Sequence, residues 1–320
     1  MNQDNEKIYI QTKLSTKALY NAKPFLKWAG GKGQLLPEIE KRLPIFPNNF
    51  IKSYVEPFVG GGAVFFFLKS KFNIKESILI DNNKELLIGY QVIQKQPNEL
   101  IRKLRGIEAT YLEKTEQVRK EFFYGQRYDY NEQMRNFDYN NFDHNWIDRA
   151  VQLIFLNRTC FNGLFRQNKK GEFNVPFGKY KNPTICNKEN ILEVHKALKD
   201  TKIICSDFEE ANKYVNKNSF VYFDPPYRPI SSTANFTDYS SEGFNDKEQI
   251  RLAEFYKEMD KEGAFLMLSN SDPKNEDVND DFFDEIYKEF KIERIKAKRA
   301  ISCKGTGRGE ISELLIRNYD

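Results

Sequence analysis

Residues that bind transition metals or form cross-links are scarce in this sequence. It contains four cysteines and two histidines among 320 residues. The cysteines are scattered and lack the C-x-x-C spacing that is typical of zinc sites and the density of a disulfide framework. We therefore predict that the cysteines are free thiols and that the protein needs no metal.

Long apolar runs are also missing. No stretch approaches the roughly 20 apolar residues of a membrane span, and the start of the chain, MNQDNEKIYIQ, lacks the apolar region of a secretory signal. We expect a cytoplasmic protein without membrane contact. A hydrophobic content of 40% is enough for one large buried core or two smaller ones.

The net charge is small, at +4, so its distribution along the chain is more informative than the sum. Residues 151–182 contain six basic residues and one acidic residue, and residues 291–310 contain seven basic and two acidic residues. Two basic segments on a nearly neutral protein favour a phosphate-binding face. An ordinary solvated surface is the alternative.

The apolar pattern of the chain predicts an α/β fold with a doubly wound, Rossmann-like sheet. In residues 52–95, the β-prone run KSYVEPF is broken by VGGG and followed by a helix, the strand ESILID and another helix. Three later runs end in polar or turn residues, as buried parallel strands do: TKIICSDF, SFVYFDPPY and GAFLMLSNSD. A final antiparallel pair is predicted in EIYKEFKIERIKAKRAI and EISELLIRNY, joined by the loop CKGTGRG.

The alternation of strands and helices stops in the middle of the chain. The periodic parts there are helical, and a stretch rich in Tyr, Asn and Asp, residues 124–143, precedes the first basic segment. We predict a mostly helical domain, residues 96–198, inserted into an α/β domain made of residues 1–95 and 199–320.

A glycine-rich turn follows the first predicted strand. Gly60 and Gly62, next to Phe58, would let the backbone approach a ligand closely. The bulky residues that follow disfavour a pyrophosphate-binding dinucleotide site. Asp81 closes the second strand, where an acid can accept hydrogen bonds from ribose hydroxyls, although a helix N-cap is the alternative. A ribose-bearing ligand without pyrophosphate fits this pattern, and S-adenosylmethionine is one.

The segment FLKWAGGK has paired glycines before a lysine, but it is not a P-loop. The first glycine of that motif is missing, and Gly33 replaces the Ser or Thr that would hold magnesium. Trp28 with Lys27 and Lys32 instead suggests a packed loop that closes over a ligand. The alternative is that Trp28 belongs simply to the core.

The strongest local signal is the tetrapeptide Asp224-Pro225-Pro226-Tyr227 at the carboxyl end of the strand SFVYF. Ligands of open α/β sheets bind at this edge. Two prolines cannot continue a central strand, so we predict a rigid loop. A plain Pro-Pro turn is the alternative.

These residue types suit the methylation of an exocyclic amine. The N6 lone pair of adenine is delocalised into the ring until acceptors bind both protons of the amine, and Asp224 and the Pro225 carbonyl can supply them. Tyr227 can stack on a base that has left the duplex. The final acceptor of the proton stays open.

Eight segments, in the same order, are similar to motifs of a known family: FLKWAGGK, EPFVGGGAVFF, LIDNN, NGLFRQNKKGEFNVPFG, SDF, VYFDPPY, LMLSNS and ISELLIRNY. Over residues 24–319 the chain resembles the Dam-type DNA adenine methyltransferases, and above all their restriction-associated, GATC-specific members. The resemblance implies methyl transfer from S-adenosylmethionine to adenine N6 in double-stranded DNA, by base flipping and direct in-line transfer. We expect a nucleoid-associated monomer. A cognate restriction endonuclease would be a functional rather than a physical partner, and the sequence leaves open whether the enzyme acts with one, alone or in a phage.

The resemblance further implies roles for individual residues. The expected cofactor-contacting residues are Trp28, Lys32, Asp81, Asp207, Phe208 and Asp224, beside Phe58, Gly60 and Gly62 of the glycine turn. The expected DNA-binding residues are Lys27, Phe161, Asn162, Leu164, Arg166 and Pro176, together with Arg158 and Lys169 of the same basic segment. Phe161 can wedge into the gap left by a flipped base, and Arg166 can donate to base edges or, alternatively, to a phosphate.

Other functions are less consistent with the tetrapeptide. Enzymes that methylate cytosine N4 usually carry Ser in place of Asp224, and those that methylate protein glutamine carry Asn. A catalytically inactive DNA-binding module would leave the cofactor pocket without a use. The stretch 124–143 matches no motif of the family.

Overall fold

The computed structural model describes residues 19–228, 244–298 and 310–320. Seven strands form one sheet: β1 (Phe50–Glu56), β2 (Asn73–Asp81), β3 (Thr201–Cys205), β4 (Ser219–Phe223), β5 (Phe265–Ser271), β6 (Lys291–Lys298) and β7 (Glu310–Arg317). The helices are α1 (Leu36–Glu40), α2 (Ala63–Lys71), α3 (Lys84–Lys95), α4 (Pro97–Leu112), α5 (Glu116–Gln133), α6 (His144–Thr159), α7 (Lys188–Ala197), α8 (Asp246–Lys261) and α9 (Phe282–Ile286).

The strand order is β3-β2-β1-β4-β5-β7-β6. Strands β1 to β5 are parallel to one another, whereas β7 pairs antiparallel with both β5 and β6. This confirms the predicted α/β fold with its doubly wound sheet and its antiparallel terminal pair. The predicted loop CKGTGRG lies outside the described residues.

Two details of the strand prediction were wrong. The run that begins at Glu285 becomes a strand only at Lys291, because its first residues complete the short helix α9. Strand β3 is half-buried instead of fully buried: Ile203 and Ile204 are partly exposed because β3 is the outer strand of the sheet on that side.

The core lies on both faces of the sheet. Alternating side chains of β1 point to opposite faces, so Tyr54 packs in one hydrophobic cluster and Val55 in the other. The first cluster contains residues of α2 to α7, and the second contains residues of α8 and α9. The alternation therefore explains how a single sheet is covered by two helical layers.

The helices of the middle segment pack directly on α3. Leu87 of α3, Leu104 of α4 and Phe155 of α6 belong to one continuous hydrophobic cluster. A buried ion pair joins the same elements, because Arg149 of α6 donates through Nε to Glu85 of α3 at 2.8 Å. None of the helices in the described ranges is long and apolar enough to cross a membrane.

The sheet brings the predicted ligand-binding turns together. The chain runs outwards from β1 through β2 to β3, and then returns to place β4 on the other side of β1. At such a switch point the loops that follow the two adjacent strands separate and leave a crevice. The glycine turn follows β1 and the Asp224 loop follows β4, so both border this crevice.

Candidate active site

A buried ion pair anchors the carboxylate of the tetrapeptide. The ammonium of Lys32 lies 2.7 Å from Oδ1 of Asp224, and the Lys32 side chain is 4% exposed. The Ser269 hydroxyl donates to the same oxygen at 3.3 Å. The loop FLKWAGGK therefore brings its second lysine into the crevice, where it fixes one side of Asp224.

The other acceptors of this loop differ in their partners. Gln249 donates to the Pro226 carbonyl at 3.0 Å. In contrast, Oδ2 of Asp224 and the Pro225 carbonyl accept no hydrogen bond from the described residues. Two acceptors on consecutive residues of the loop are thus without a donor among the described residues.

The end of the loop is held by Arg228. Its guanidinium donates to Asp246 at 2.7 and 3.0 Å and to Asp280 at 2.6 Å, and it lies 4.2 Å from the centroid of the Phe282 ring. Charge-assisted bonds of this kind are the strong ones. The tetrapeptide is therefore fixed at both ends, as expected for a rigid loop.

Tyr227 contacts the same lysine. Its hydroxyl accepts from Lys32 at 3.1 Å and donates to Glu313 of β7 at 2.9 Å. Burial disfavours the charge on Lys32, but the carboxylates of Asp224 and Glu313 outweigh it and raise the pKa of the ammonium. The lysine is therefore a permanent cation between two carboxylates and a phenol.

In the two carboxylates, Asp224 and Glu313, burial has a larger effect on the pKa than the charge of Lys32 has. Burial raises the pKa of Asp224 above its ordinary value, and the charge of Lys32 opposes this shift. Burial likewise raises the pKa of Glu313, again against the charge of Lys32. Both groups consequently hold a proton more tightly than exposed acids do.

The glycine turn depends on its glycines and on Asp81. Gly60 and Gly62 have φ values of 47° and 69°, and a Cβ atom on Gly62 would lie 2.4 Å from the Tyr90 hydroxyl. Asp81 accepts from the backbone N–H of Gly60 at 3.0 Å and of Asn83 at 2.9 Å. The N-cap of α3 is Asn83. The alternative role considered for Asp81, the N-cap of α3, is therefore filled by Asn83, two residues later.

An aromatic wall lies beside this turn. The ring centroids of Phe58 and Phe208 are 5.4 Å apart, and Phe244 packs on both rings. Asp207 caps the short helix that begins at Phe208, and its carboxylate is paired with Arg251 at 2.9 Å. Phe58, Phe208 and Asp207 are thus brought to one end of the crevice, although Asp207 is already engaged.

Trp28 connects the glycine turn to the middle segment. It is half-buried and stacks on Phe165, with ring centroids 5.1 Å apart and an interplanar angle of 12°. On the other side, a Cβ atom on Gly60 would lie 3.0 Å from Cδ1 of Trp28. Trp28 therefore packs against the edge of the first hydrophobic cluster, between the glycine turn and the middle segment.

Residues 160–177 form a hairpin that directly follows α6. Isolated antiparallel β-bridges pair Cys160 with Phe177 and Gln167 with Phe173, and we call this segment the 160–177 hairpin. Phe161 is 56% exposed although it is large and apolar. The other expected DNA-binding residues of the hairpin are exposed, except for half-buried Leu164: Asn162, Arg166, Lys169 and Pro176.

Lys27 lies against the start of this hairpin. Its backbone exchanges hydrogen bonds with the Asn157 amide at 3.0 Å, and its exposed side chain runs past Gly163, where a Cβ atom would lie 2.7 Å from Cδ of Lys27. The loop that supplies Lys32 to the crevice thus supplies Lys27 to the hairpin.

Comparisons with known proteins identify the family. The family described as D12 class N6 adenine-specific DNA methyltransferase matches residues 28–301. The chain is 50% identical to the Type II methyltransferase M.MjaIII of Methanocaldococcus jannaschii over 93% of this chain and 99% of that protein. It is 38% identical to the Type II methyltransferase M1.LlaDCHI of Lactococcus lactis (96% and 99% covered) and 35% identical to a DNA adenine methylase of Vibrio cholerae (91% and 94% covered).

The chain belongs to the D12 class of N6 adenine-specific DNA methyltransferases. The resemblance to the Dam-type family and the predicted enzyme class are thereby confirmed. The substrate of this methyltransferase is DNA, and the methylated base is adenine. The cytosine N4 alternative is set aside by the same finding.

One expected DNA-binding residue of the methyltransferase is placed differently from the others. Arg158 is half-buried at the end of α6, and its guanidinium donates to the Phe25 carbonyl at 2.7 Å. Burial lowers the pKa of this guanidinium. The structure gives Arg158 a contact within the protein, where it fixes the loop before Lys27, and does not place it with the exposed residues of the hairpin.

The second basic segment is partly neutralised. Arg294 of β6 pairs with Asp272 at 3.0 Å and with Asp284 at 2.6 Å, and Lys291 approaches Asp320. Basic residues engaged with carboxylates are weak phosphate ligands. The remaining part of this segment, residues 299–309, lies outside the described residues.

Sequence reasoning missed two buried acids near the site. Glu56, at the end of β1, is 2% exposed and accepts from the Tyr54 hydroxyl at 2.7 Å, and Glu313 is 5% exposed. A signal was present in both cases. Glu56 directly follows the apolar pair Tyr54-Val55 in β1, and Glu313 directly precedes the apolar run of residues 314–316 in β7. An acid that adjoins a buried apolar run is itself drawn into the interior, and a carboxylate is rarely fully buried without a partner.

Proposed function

We propose that this methyltransferase transfers the methyl group of S-adenosylmethionine to N6 of adenine in double-stranded DNA, at GATC, after flipping the base out of the duplex. The observation that carries the proposal is the pair of open acceptors, Oδ2 of Asp224 and the carbonyl of Pro225, at the switch point of the sheet. A flipped adenine amine has two protons to donate, and these are two adjacent acceptors.

The residues around the crevice fit S-adenosylmethionine. Half-buried Phe58, which packs on the buried Phe208, offers an apolar surface for an adenine ring. Asp81 is a half-buried acid at the end of β2, where ribose hydroxyls bind in related sheets. Trp28 and Lys32 border the same space. When bound, the cofactor supplies an electrophilic methyl group on a sulfonium.

The roles of the tetrapeptide follow from its contacts. Lys32 and Ser269 hold one oxygen of Asp224, so the other oxygen is oriented before the substrate arrives. Asp224 and the Pro225 carbonyl then draw on both protons of the amine and favour the more tetrahedral, more positive nitrogen of the transition state. The raised pKa of Asp224 suits it to accept the proton that the amine loses.

The middle segment, residues 96–198, is proposed as the target-recognition part, and residues 1–95 and 199–320 as the catalytic part. In the 160–177 hairpin, the exposed Phe161 would fill the gap in the duplex and Arg166 would read base edges. GATC itself is proposed from the family resemblance. The monomeric state, the nucleoid location and a partner endonuclease stay predictions.

The proposal is tested with purified protein, plasmid DNA and labelled S-adenosylmethionine. We expect label on adenine, and protection from a nuclease that is blocked by adenine methylation at GATC. The Asp224→Ala variant should lose about three orders of magnitude in kcat while it retains measurable cofactor binding. Label on cytosine alone, or unlabelled DNA, would contradict the proposed reaction, and adenine label without GATC protection would contradict the target sequence.

A further inference from the structure

The stretch 124–143, which matches no family motif, begins within α5 beside the 160–177 hairpin. Its helical part, up to Gln133, runs along the second arm of the hairpin. Polar residues of an ordinary surface helix face the solvent. Two polar residues of α5 instead contact the hairpin backbone.

Asn131 binds both backbone groups of Phe173. The N–H of Phe173 donates to Oδ1 of Asn131 at 2.8 Å, and Nδ2 of Asn131 donates to the Phe173 carbonyl at 3.1 Å. This reproduces the paired bonds that a neighbouring strand would make. A side-chain amide has the required donor and acceptor, which a carboxylate or an ammonium lacks.

Arg127 makes the next contact along the same arm. Its guanidinium donates to the Val175 carbonyl at 3.2 Å and lies 4.7 Å from the centroid of the Tyr124 ring. Residues four apart on a helix are separated by about 6 Å along its axis, and residues two apart on a strand by about 6.6 Å. Asn131 and Arg127 therefore match Phe173 and Val175 in spacing, and α5 fixes the register of this arm.

The register determines where Arg166 points. Phe173 and Val175 are buried, so Asn174 between them faces the other side. Asn174 accepts from Nε of Arg166 at 2.8 Å, and its N–H donates to the Arg166 carbonyl at 3.1 Å. Asn131 is thus linked to the guanidinium of Arg166 by its hydrogen bonds to Phe173, by the peptide bond from Phe173 to Asn174, and by the hydrogen bond between Asn174 and Arg166.

We propose that Asn131, assisted by Arg127, is a positioning residue for target-sequence discrimination. It holds the second arm in the register that lets Asn174 orient Arg166 towards the DNA. Asn131 is 42 residues from Phe173 in the sequence, and its side chain binds the backbone N–H and carbonyl of that residue. The inference rests on the proposed reading role of Arg166.

The test compares kcat/KM on a duplex carrying the methylation target with kcat/KM on duplexes that differ by one base pair. Asn131→Asp keeps the acceptor and removes the donor, and it should lower this ratio about tenfold, the worth of one well-placed base contact. Arg127→Gln should lower it less. The affinity for S-adenosylmethionine and the Tm are measured in parallel, because a purely structural role would lower the Tm and leave the ratio unchanged.

A matched control and a double variant complete the design. Asn141→Ala removes an amide of the same segment that bonds to Asp138 in an exposed turn, at 2.8 Å, and should leave the discrimination ratio unchanged. If Asn131 acts through Arg166, the double variant Asn131→Asp/Arg166→Ala should have nearly the same discrimination ratio as Arg166→Ala alone. The inference is overturned if the ratio of kcat/KM on the target duplex to kcat/KM on the altered duplexes changes in Arg166→Ala but stays unchanged in both Asn131→Asp and Arg127→Gln. A ratio that is unchanged in Arg166→Ala overturns the proposed role of the hairpin arginine itself.

Discussion

The hydroxyl of Tyr227 donates to the carboxylate of Glu313 at 2.9 Å. This bond joins the tetrapeptide Asp224-Pro225-Pro226-Tyr227 to β7, which also pairs with β5 next to Ser269. Because Lys32 donates to the same hydroxyl from another direction, the phenol is held from two sides. The position of the Tyr227 hydroxyl is therefore fixed by two partners.

Glu313→Gln should weaken this hold. The amide accepts from Tyr227 without a charge, so we expect kcat to fall about tenfold, the worth of a hydrogen bond to a charged group. The base-flipping step is followed with 2-aminopurine in place of the target adenine, since its fluorescence rises when it leaves the stack. A smaller rise than in the wild type is expected.

Glu293→Gln is the matched control for that variant. Glu293 lies on β6 and pairs with Arg317 and Arg42, away from Tyr227. Its replacement should cost stability without changing the fluorescence signal. If Glu313→Gln and Glu293→Gln have the same effects on kcat and fluorescence, the positioning of Tyr227 by Glu313 is refuted.

The activity should depend on pH through Asp224. Its acceptor role requires the ionised form, and burial raises its pKa, so kcat/KM should fall with decreasing pH at a higher pH than an ordinary aspartate would give. The charge of Lys32 opposes this shift. Lys32→Met should therefore move the acidic limb of the pH profile to still higher pH, besides lowering the maximal rate.

The pH profile of Lys41→Met serves for comparison. Lys41 is exposed and pairs with Glu38, so its loss should leave the acidic limb in place. An acidic limb that stays unmoved, or moves to lower pH, in Lys32→Met would show that Asp224 does not control it.

The features that sequence predicted are those with local signals. Gly62 and the Asp224 loop were found because glycine and proline interrupt apolar runs at the ends of strands, and parallel strands bring those ends to one edge. The link between Tyr227 and Glu313 spans 86 residues. This contact depends on the position of β7 beside β5 in the sheet, and no local sequence pattern predicts that β5 and β7 are adjacent.

The same limit applies to the middle segment. Asn131 and Phe173 are 42 residues apart, and their pairing depends on how α5 packs beside the 160–177 hairpin. Arg158 was expected among the DNA-binding residues because it lies in a basic segment. Its contact with Phe25, 133 residues away, is decided by tertiary packing.

Glu56 should make the stability of the methyltransferase depend on pH. Burial raises its pKa well above the ordinary value of 4.5, although the bond from Tyr54 opposes the shift. The folded protein then binds this proton more tightly than the unfolded chain does. The contribution of Glu56 to the free energy of unfolding is therefore fully present below pH 4.5. This contribution is lost as the pH rises through the raised pKa of the folded state.

Glu56→Gln removes this titration and keeps an acceptor for Tyr54. The variant should have a higher Tm than the wild type at pH 8, by about 2–4 °C for each kcal/mol gained, and a flatter dependence of Tm on pH. Glu76→Gln changes an exposed acid on the neighbouring strand and should follow the wild type. A lower Tm for Glu56→Gln at pH 8 would mean that the ionised carboxylate is stabilised by its surroundings.

Lys169 should contribute affinity for DNA without sequence preference. It is exposed at the tip of the 160–177 hairpin, and a lysine there acts as a point charge for a phosphate. Lys169→Ala should weaken binding to all duplexes alike and reduce the slope of log K against log salt by about one. Binding is measured by fluorescence anisotropy at several salt concentrations, with Lys199→Ala, an exposed lysine before β3, as the control. An unchanged slope for Lys169→Ala would show that this lysine does not contact a phosphate. A loss of affinity confined to the target duplex would assign it to base recognition.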